Sequence, residues 1–205
     1  VVRFSVNVFL QRVKLAMVIR HINLHIPTFE ELNLPIESLK RIAKLSRGLI
    51  LVTGITGSGK STTLASILEY INRTEKKHIV TVEDPIEFVF QDKRSLFNQR
   101  EVGLDTHDFV SALKHCMRQS PDVILIGEMR DSETMEAAIS AAETGHLVFS
   151  TLHSVDATQT VERILNFFPP HQHNLIRMQL SMGLEGVISQ RLLRRTDGPG
   201  RVPAI

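Results

Sequence analysis

Gly54-Ile55-Thr56-Gly57-Ser58-Gly59-Lys60-Ser61 carries the spacing G-x-x-x-x-G-K-[ST] of a phosphate-binding loop. Each fixed position has its own chemistry. Thr56, Gly57, Ser58 and Gly59 turn backbone N–H groups toward phosphate oxygens, Lys60 reaches the terminal phosphates, and the Ser61 hydroxyl holds Mg²⁺. The flanks agree with this reading. Gly48 to Thr53 is a short apolar, β-prone run, whereas Ser61 to Asn72, with Thr62 in its first turn, places Leu64, Ile67, Leu68 and Ile71 at helical spacing. Strand, glycine loop and helix together form the context that a phosphate site requires.

Beyond the loop, strands and helices alternate. Apolar runs at His78 to Val82, Val123 to Ile126 and Leu147 to Ser150 are predicted strands. Between and after them the periodicity predicts helices over Thr106 to Met117, Ser132 to Glu143, Asp156 to Phe168 and His171 to Leu193, with Asp92 to Arg100 read as irregular. Short buried strands separated by amphipathic helices specify an α/β fold, a mostly parallel sheet flanked by helices. Toward the start, Arg3 to Leu10 alternates and pairs with Leu15 to Ile22 as an antiparallel hairpin. His25-Ile26-Pro27-Thr28 reads as a linker, Thr28 and Glu31 as a capping box for a short helix, and Ile36 to Leu45 as another helix.

Composition narrows the classes. The 205 residues are 42% apolar and 22% charged, as in an ordinary soluble globular protein. No apolar run approaches the ~18 residues of a membrane span, and the start lacks signal-peptide architecture, so the expected location is cytoplasmic. A net charge of +2 and scattered basic residues give no reason to expect a nucleic-acid partner. Arg191, Arg194 and Arg195, with Leu192 and Leu193 between them, read as a solvated face or subunit contact. The single cysteine, Cys116, rules out internal disulfides and a multi-cysteine zinc site, and reads as a small buried hydrophobe.

Ligands of a parallel sheet bind at the carboxyl ends of its strands, and polar residues recur there. Glu83-Asp84-Pro85-Ile86-Glu87 follows one run, and Gly127-Glu128-Met129-Arg130-Asp131 follows another in the Walker B arrangement of apolar strand then acid. His153 emerges after a third and is positioned to sense a γ-phosphate, while His146, at the start of that run, is carried both as a candidate nucleotide contact and as a structural histidine. Hydrolysis needs a group to orient water. Glu83, Glu87 and Glu128 are the candidates, and spacing alone does not choose among them.

These motifs, with Gly145-His146-Leu147-Val148-Phe149-Ser150-Thr151-Leu152-His153 as a histidine box, resemble the secretion ATPase superfamily, RecA-like P-loop hexameric motors of type II secretion and type IV pili. Asn98-Gln99-Arg100-Glu101-Val102 and Ala141 to His146 are similar to its twitching-motility, pilus-retraction branch, the PilT/PilU-like ATPases. The resemblance implies ATP and Mg²⁺ as ligands and assigns roles residue by residue. Lys60 neutralises the phosphates, Ser61 and Glu128 serve the metal, Glu87 is the general base, and His153 contacts the phosphate. Arg3 and Arg20 correspond to arginines supplied across an interface. The resemblance further implies a homo-hexamer acting on an inner-membrane platform protein of the pilus, beside a paralogous ATPase and peripheral to the inner membrane. It divides the chain into residues 1–27, a remnant of a PAS-like N-terminal domain, and 28–205, a RecA-like ATPase domain truncated at its C-terminal end. Ile55 departs from the proline usual there.

Overall fold

Residues 3–22, 25–196 and 198–205 are described in the computed structural model of the protein. Strand β3 (Gly48–Thr53) leads into the loop and helix α2 (Lys60–Thr74), as the sequence predicts. Around β3 is a six-stranded, all-parallel sheet. It also contains β4 (His78–Glu83), β5 (Leu96–Glu101), β6 (Val123–Ile126), β7 (Leu147–Leu152) and β8 (Leu184–Ser189), in the order β5-β4-β6-β7-β3-β8.

Alternation along these strands builds the two faces, because successive side chains point to opposite sides. Leu49, Leu51, Val80, Ile124, Ile126 and Val148 enter one core with helices α3 (Phe109–Cys116), α4 (Ser132–Glu143), α5 (Ala157–Leu165) and α6 (His173–Gly183). Ile50, Val52, Ile79, Val123, Leu125 and Phe149 enter the other with α1 (Ile36–Ala43) and α2. Asp108, Asp131 and Asp156 cap α3, α4 and α5, each carboxylate accepting from the backbone N–H three residues on. Cys116 is buried as expected, and burial pushes its thiol up to about 11.

Three expectations are corrected. The stretch read as irregular contains β5, an edge strand whose Leu96 is exposed while Phe97 stacks on Phe90 at 4.3 Å. An edge strand is covered incompletely, so its polar residues hide the apolar run that marks an inner one. The long helix expected to Leu193 stops at Gly183, and the chain continues as β8 and then β9 (Arg191–Arg194). Gly183 and Gly186 weaken a helix there, and β8 pairs with β3 in parallel. Gly48, at φ +114°, leaves room for this strand: a Cβ on it would meet Glu185 Cγ at 2.3 Å. The Thr28–Glu31 capping box forms both of its bonds, at 2.7 and 3.3 Å, but encloses only turns over residues 29–33.

The first hairpin is as expected: β1 (Arg3–Gln11) pairs antiparallel with β2 (Lys14–Ile22). Arg12 and Val13 join them with φ of 49° and 63°, the mirror-image turn that suits strand twist. A second hairpin pairs β9 with β10 (Arg201–Ala204).

Candidate active site

Because all six strands run in one direction, every carboxyl end opens on one edge of the sheet, and the loop from β3 meets the segments leaving β4, β6, β7 and β8 there. These segments enclose a cleft of about 420 Å³, within the range of small-ligand sites. Thr56, Gly57, Gly59, Lys60, Ser61 and Thr62 form one wall, and Glu83, Glu87, Glu128 and His153 face them.

The loop conformation depends on its glycines. Gly54 lies at φ +146°, where a Cβ would meet Gln190 O at 2.3 Å and Ser58 Oγ at 2.6 Å; Gly59 caps α2 at φ +88°, where a Cβ would meet Gln190 Nε2 at 2.8 Å. No side chain among the described residues caps this helix, so the N–H groups of its first turn face the cleft as an anion site. Ser58 is buried beneath the loop, and its hydroxyl has no partner among the described residues.

Lys60 is only 8% exposed and curls back, its Nζ donating to Gly54 O at 3.0 Å and Ile55 O at 3.1 Å. Burial lowers its pKa, and the carboxylates of Glu128 and Glu87 oppose that shift. The Ser61 hydroxyl donates to Glu87 Oε1 at 3.1 Å. Glu83, at the end of β4, is buried and accepts from Thr81 Oγ1 at 2.6 Å and Gln99 Nε2 at 3.3 Å; burial raises its pKa. Glu87, pointing into the cleft beside Ser61, is therefore better placed than Glu83 to act on a bound ligand.

Glu128 leaves β6 on Gly127, a residue kept small by the chain beside it: a Cβ there would meet Glu83 Cα at 3.3 Å. Its carboxylate accepts from the Arg130 guanidinium and faces His153 Nε2 at 3.8 Å. Thr151 Oγ1 donates to Gly127 O at 2.7 Å, fixing the end of β7 against the end of β6. Burial and the Lys60 charge lower the His153 pKa, and Glu128 works in the opposite direction.

The donor set fits a magnesium nucleotide. A hydroxyl and two carboxylates lie beside a buried lysine and an open helix N-terminus, which suits a hard cation that keeps several waters and binds through phosphate oxygens.

His146 and Arg20 do not line this cleft. His146 sits at the opposite edge, before β7, where Nδ1 lies 3.0 Å from Ala141 O and its carbonyl accepts from Gly48 N at 3.0 Å. The full length of β7 separates it from the cleft. Arg20 is exposed on β2 and does not line the cleft; the backbone of Arg3 belongs to β1, but its side chain lies outside the described residues. Conversely, Leu192 and Arg201 from the β9–β10 hairpin do line it, as the sequence reading did not foresee. Gln190, just after β8, is also new: it is 3% exposed and bonded to the underside of the loop. Its signal was hidden in the pattern read as one long helix.

Comparison with known proteins agrees with the geometry. The family described as "Type II/IV secretion system protein" matches residues 9–201. From Pseudomonas aeruginosa, the type IV pilus ATPase PilU is 49% identical over 97% of this chain and 52% of its own length. The type IV pilus retraction ATPase PilT of the same organism is 51% identical over 100% of this chain and 59% of its own. A crystal structure of the pilus retraction motor PilT with bound ADP superposes with a TM-score of 0.93 at 53% identity, covering 98% of this chain and 58% of that one. The chain thus spans between half and three fifths of these relatives. With its strand-end motifs gathered in one cleft and the family pattern running through nearly all of its length, the chain belongs to the type II/IV secretion system protein family.

Proposed function

We propose that this chain is the ATP-hydrolysing core of a cytoplasmic, homo-hexameric motor that retracts type IV pili and so drives twitching motility. The observation that carries the reading is the convergence of Lys60, Ser61, Glu87, Glu128 and His153 on one cleft. Similarity to PilT and PilU supports the pilus as the load.

In this reading the open N-terminus of α2 and Lys60 take the β- and γ-phosphates. Lys60 then exchanges the Gly54 and Ile55 carbonyls for phosphate oxygens. Bound Mg²⁺ supplies charge neutralisation of the phosphates, with Ser61 as its ligand and Glu128 beside it. Glu87 orients a water in line with the γ-phosphorus and accepts its proton as the bond to the β-phosphate oxygen breaks. His153 lies at the γ-phosphate end, where it donates to the phosphate or registers its departure. Arg3 and Arg20 act across a subunit boundary, and the ring transmits the cycle to an inner-membrane platform protein.

Hydrolysis by the protein, compared with its Lys60→Ala and Glu87→Gln variants, tests the proposal. Loss of turnover in both supports it; unchanged turnover in both overturns it. A second reading, an accessory ATPase assisting a paralogous motor, is favoured by the near-equal identities to PilU and PilT. ATP-dependent capture of that paralogue separates the two.

A further inference from the structure

Gln190 makes three bonds at the root of the phosphate loop. Its N–H donates to Thr53 O at 2.8 Å, its Nε2 donates to Ser58 O at 2.8 Å, and its Oε1 accepts from Thr63 Oγ1 at 2.7 Å. Those partners are the last residue of β3, the turn before Gly59, and the first turn of α2. One buried residue therefore spans both ends of the loop, its backbone at the end of β3 and its side chain between Ser58 and the first turn of α2. The glycines of that loop are fitted around the same residue, since a Cβ on Gly54 would strike its carbonyl and a Cβ on Gly59 its amide nitrogen.

We propose that Gln190 is the positioning residue that holds the phosphate loop in its anion-accepting curvature. The claim rests on the nucleotide reading above and deepens it. The bond to Ser58 O turns that carbonyl under the loop, so that the N–H groups of the turn face the cleft; the bond from Thr63 fixes where the helix N-terminus points. An amide is the side chain that donates to one partner and accepts from the other in the same plane. Methionine has the same length, no donor and only a weakly accepting sulfur. Glutamate accepts from Thr63 in either protonation state, yet it donates to Ser58 O only when protonated.

The experiment is Mg-ADP binding to this chain as wild type, Gln190→Met and Gln190→Glu, at about pH 5.5 and about pH 8, with the melting temperature of each nucleotide-free protein. Gln190→Met is expected to weaken binding by about tenfold at both pH values, and Gln190→Glu by within about threefold at the lower pH and more than about tenfold at the higher, each relative to wild type at the same pH. A role in stability alone does not produce that pH-dependent rescue. Gln190→Met binding within about twofold of wild type, or a Gln190→Glu ratio flat with pH, overturns the proposal. Should Gln190→Met melt below the assay temperature, the two-pH comparison of Gln190→Glu decides. A wild-type chain that does not bind Mg-ADP overturns the nucleotide reading itself, a result distinct from variants that bind as well as wild type.

Discussion

The Ser61 hydroxyl donates to the Glu87 carboxylate across 3.1 Å, so the residue expected to serve the metal and the residue expected to activate water hold one another. Were Ser61 to hold the cation of a bound nucleotide, its hydroxyl would no longer donate to Glu87, and that carboxylate would be free to accept a proton from water. Glu87→Gln keeps an acceptor for Ser61 but removes the proton acceptor. Turnover is expected to fall by a factor of about 10²–10⁴, while Mg-ATP affinity stays close to wild type. Steady-state hydrolysis alongside equilibrium binding checks this split, and parallel losses in both would contradict it.

His153 carries a lowered pKa because burial and the Lys60 charge disfavour its protonated form. A folded-state value below the unfolded one means the stabilising difference is present above the unfolded pKa and is lost as pH falls through the folded one. His153→Gln removes this group. The melting temperature of the variant is therefore expected to fall less steeply than that of wild type below about pH 6.5. Two parallel melting curves across that range would show that His153 is not shifted in this way.

For Glu83 the sign is opposite. Burial raises its pKa, so its contribution is fully present below the unfolded value and is lost as pH rises through the folded one. Glu83→Gln keeps the acceptor for Thr81 and Gln99 without a charge to desolvate. Its melting temperature relative to wild type is expected to climb as pH rises above about 4.5 and then level off. A difference independent of pH would refute the assignment.

His146→Ala tests the correction at the far edge of the sheet. Removing the ring loses its bond with Ala141 O and costs about 1 kcal/mol of stability. Nucleotide affinity is expected to be unchanged. Denaturant unfolding and an ADP titration read the two effects separately, and weakened ADP binding at full stability would return His146 to the site.

How far the sequence carries can be seen on one strand. Both histidines flank β7, and in an all-parallel sheet only the one after the strand reaches the carboxyl edge, so direction alone separates His153 from His146. The loop and Glu128 were legible because each comes after an inner strand with a continuous apolar run, whereas Glu87, four residues past β4, was one of three candidate carboxylates that spacing did not separate. Edge strands offer no such run: β5 carries Asn98 to Glu101, and β8 is interrupted by Gly186 and exposes Glu185. With β8 absorbed into a helical pattern, the residues beyond it lost their place at the sheet edge. Gln190, Leu192 and Arg201 became visible only once the chain was seen to leave the sheet beside the loop and fold back as a hairpin.

Strand order has a mechanical consequence. The residues lining the cleft run from Thr56 to Arg201, and β3 lies between β7 and β8, strands formed roughly a hundred or more residues later. A ligand seated there braces segments far apart in the sequence against each other, so that proteolytic nicking near β8 or the last hairpin should slow as soon as the loop is filled. At a hundredfold excess over its Kd the ligand adds about 2.7 kcal/mol to the stability of the bound state. That gain is shared by every strand whose departure would open the cleft, the last-made one included.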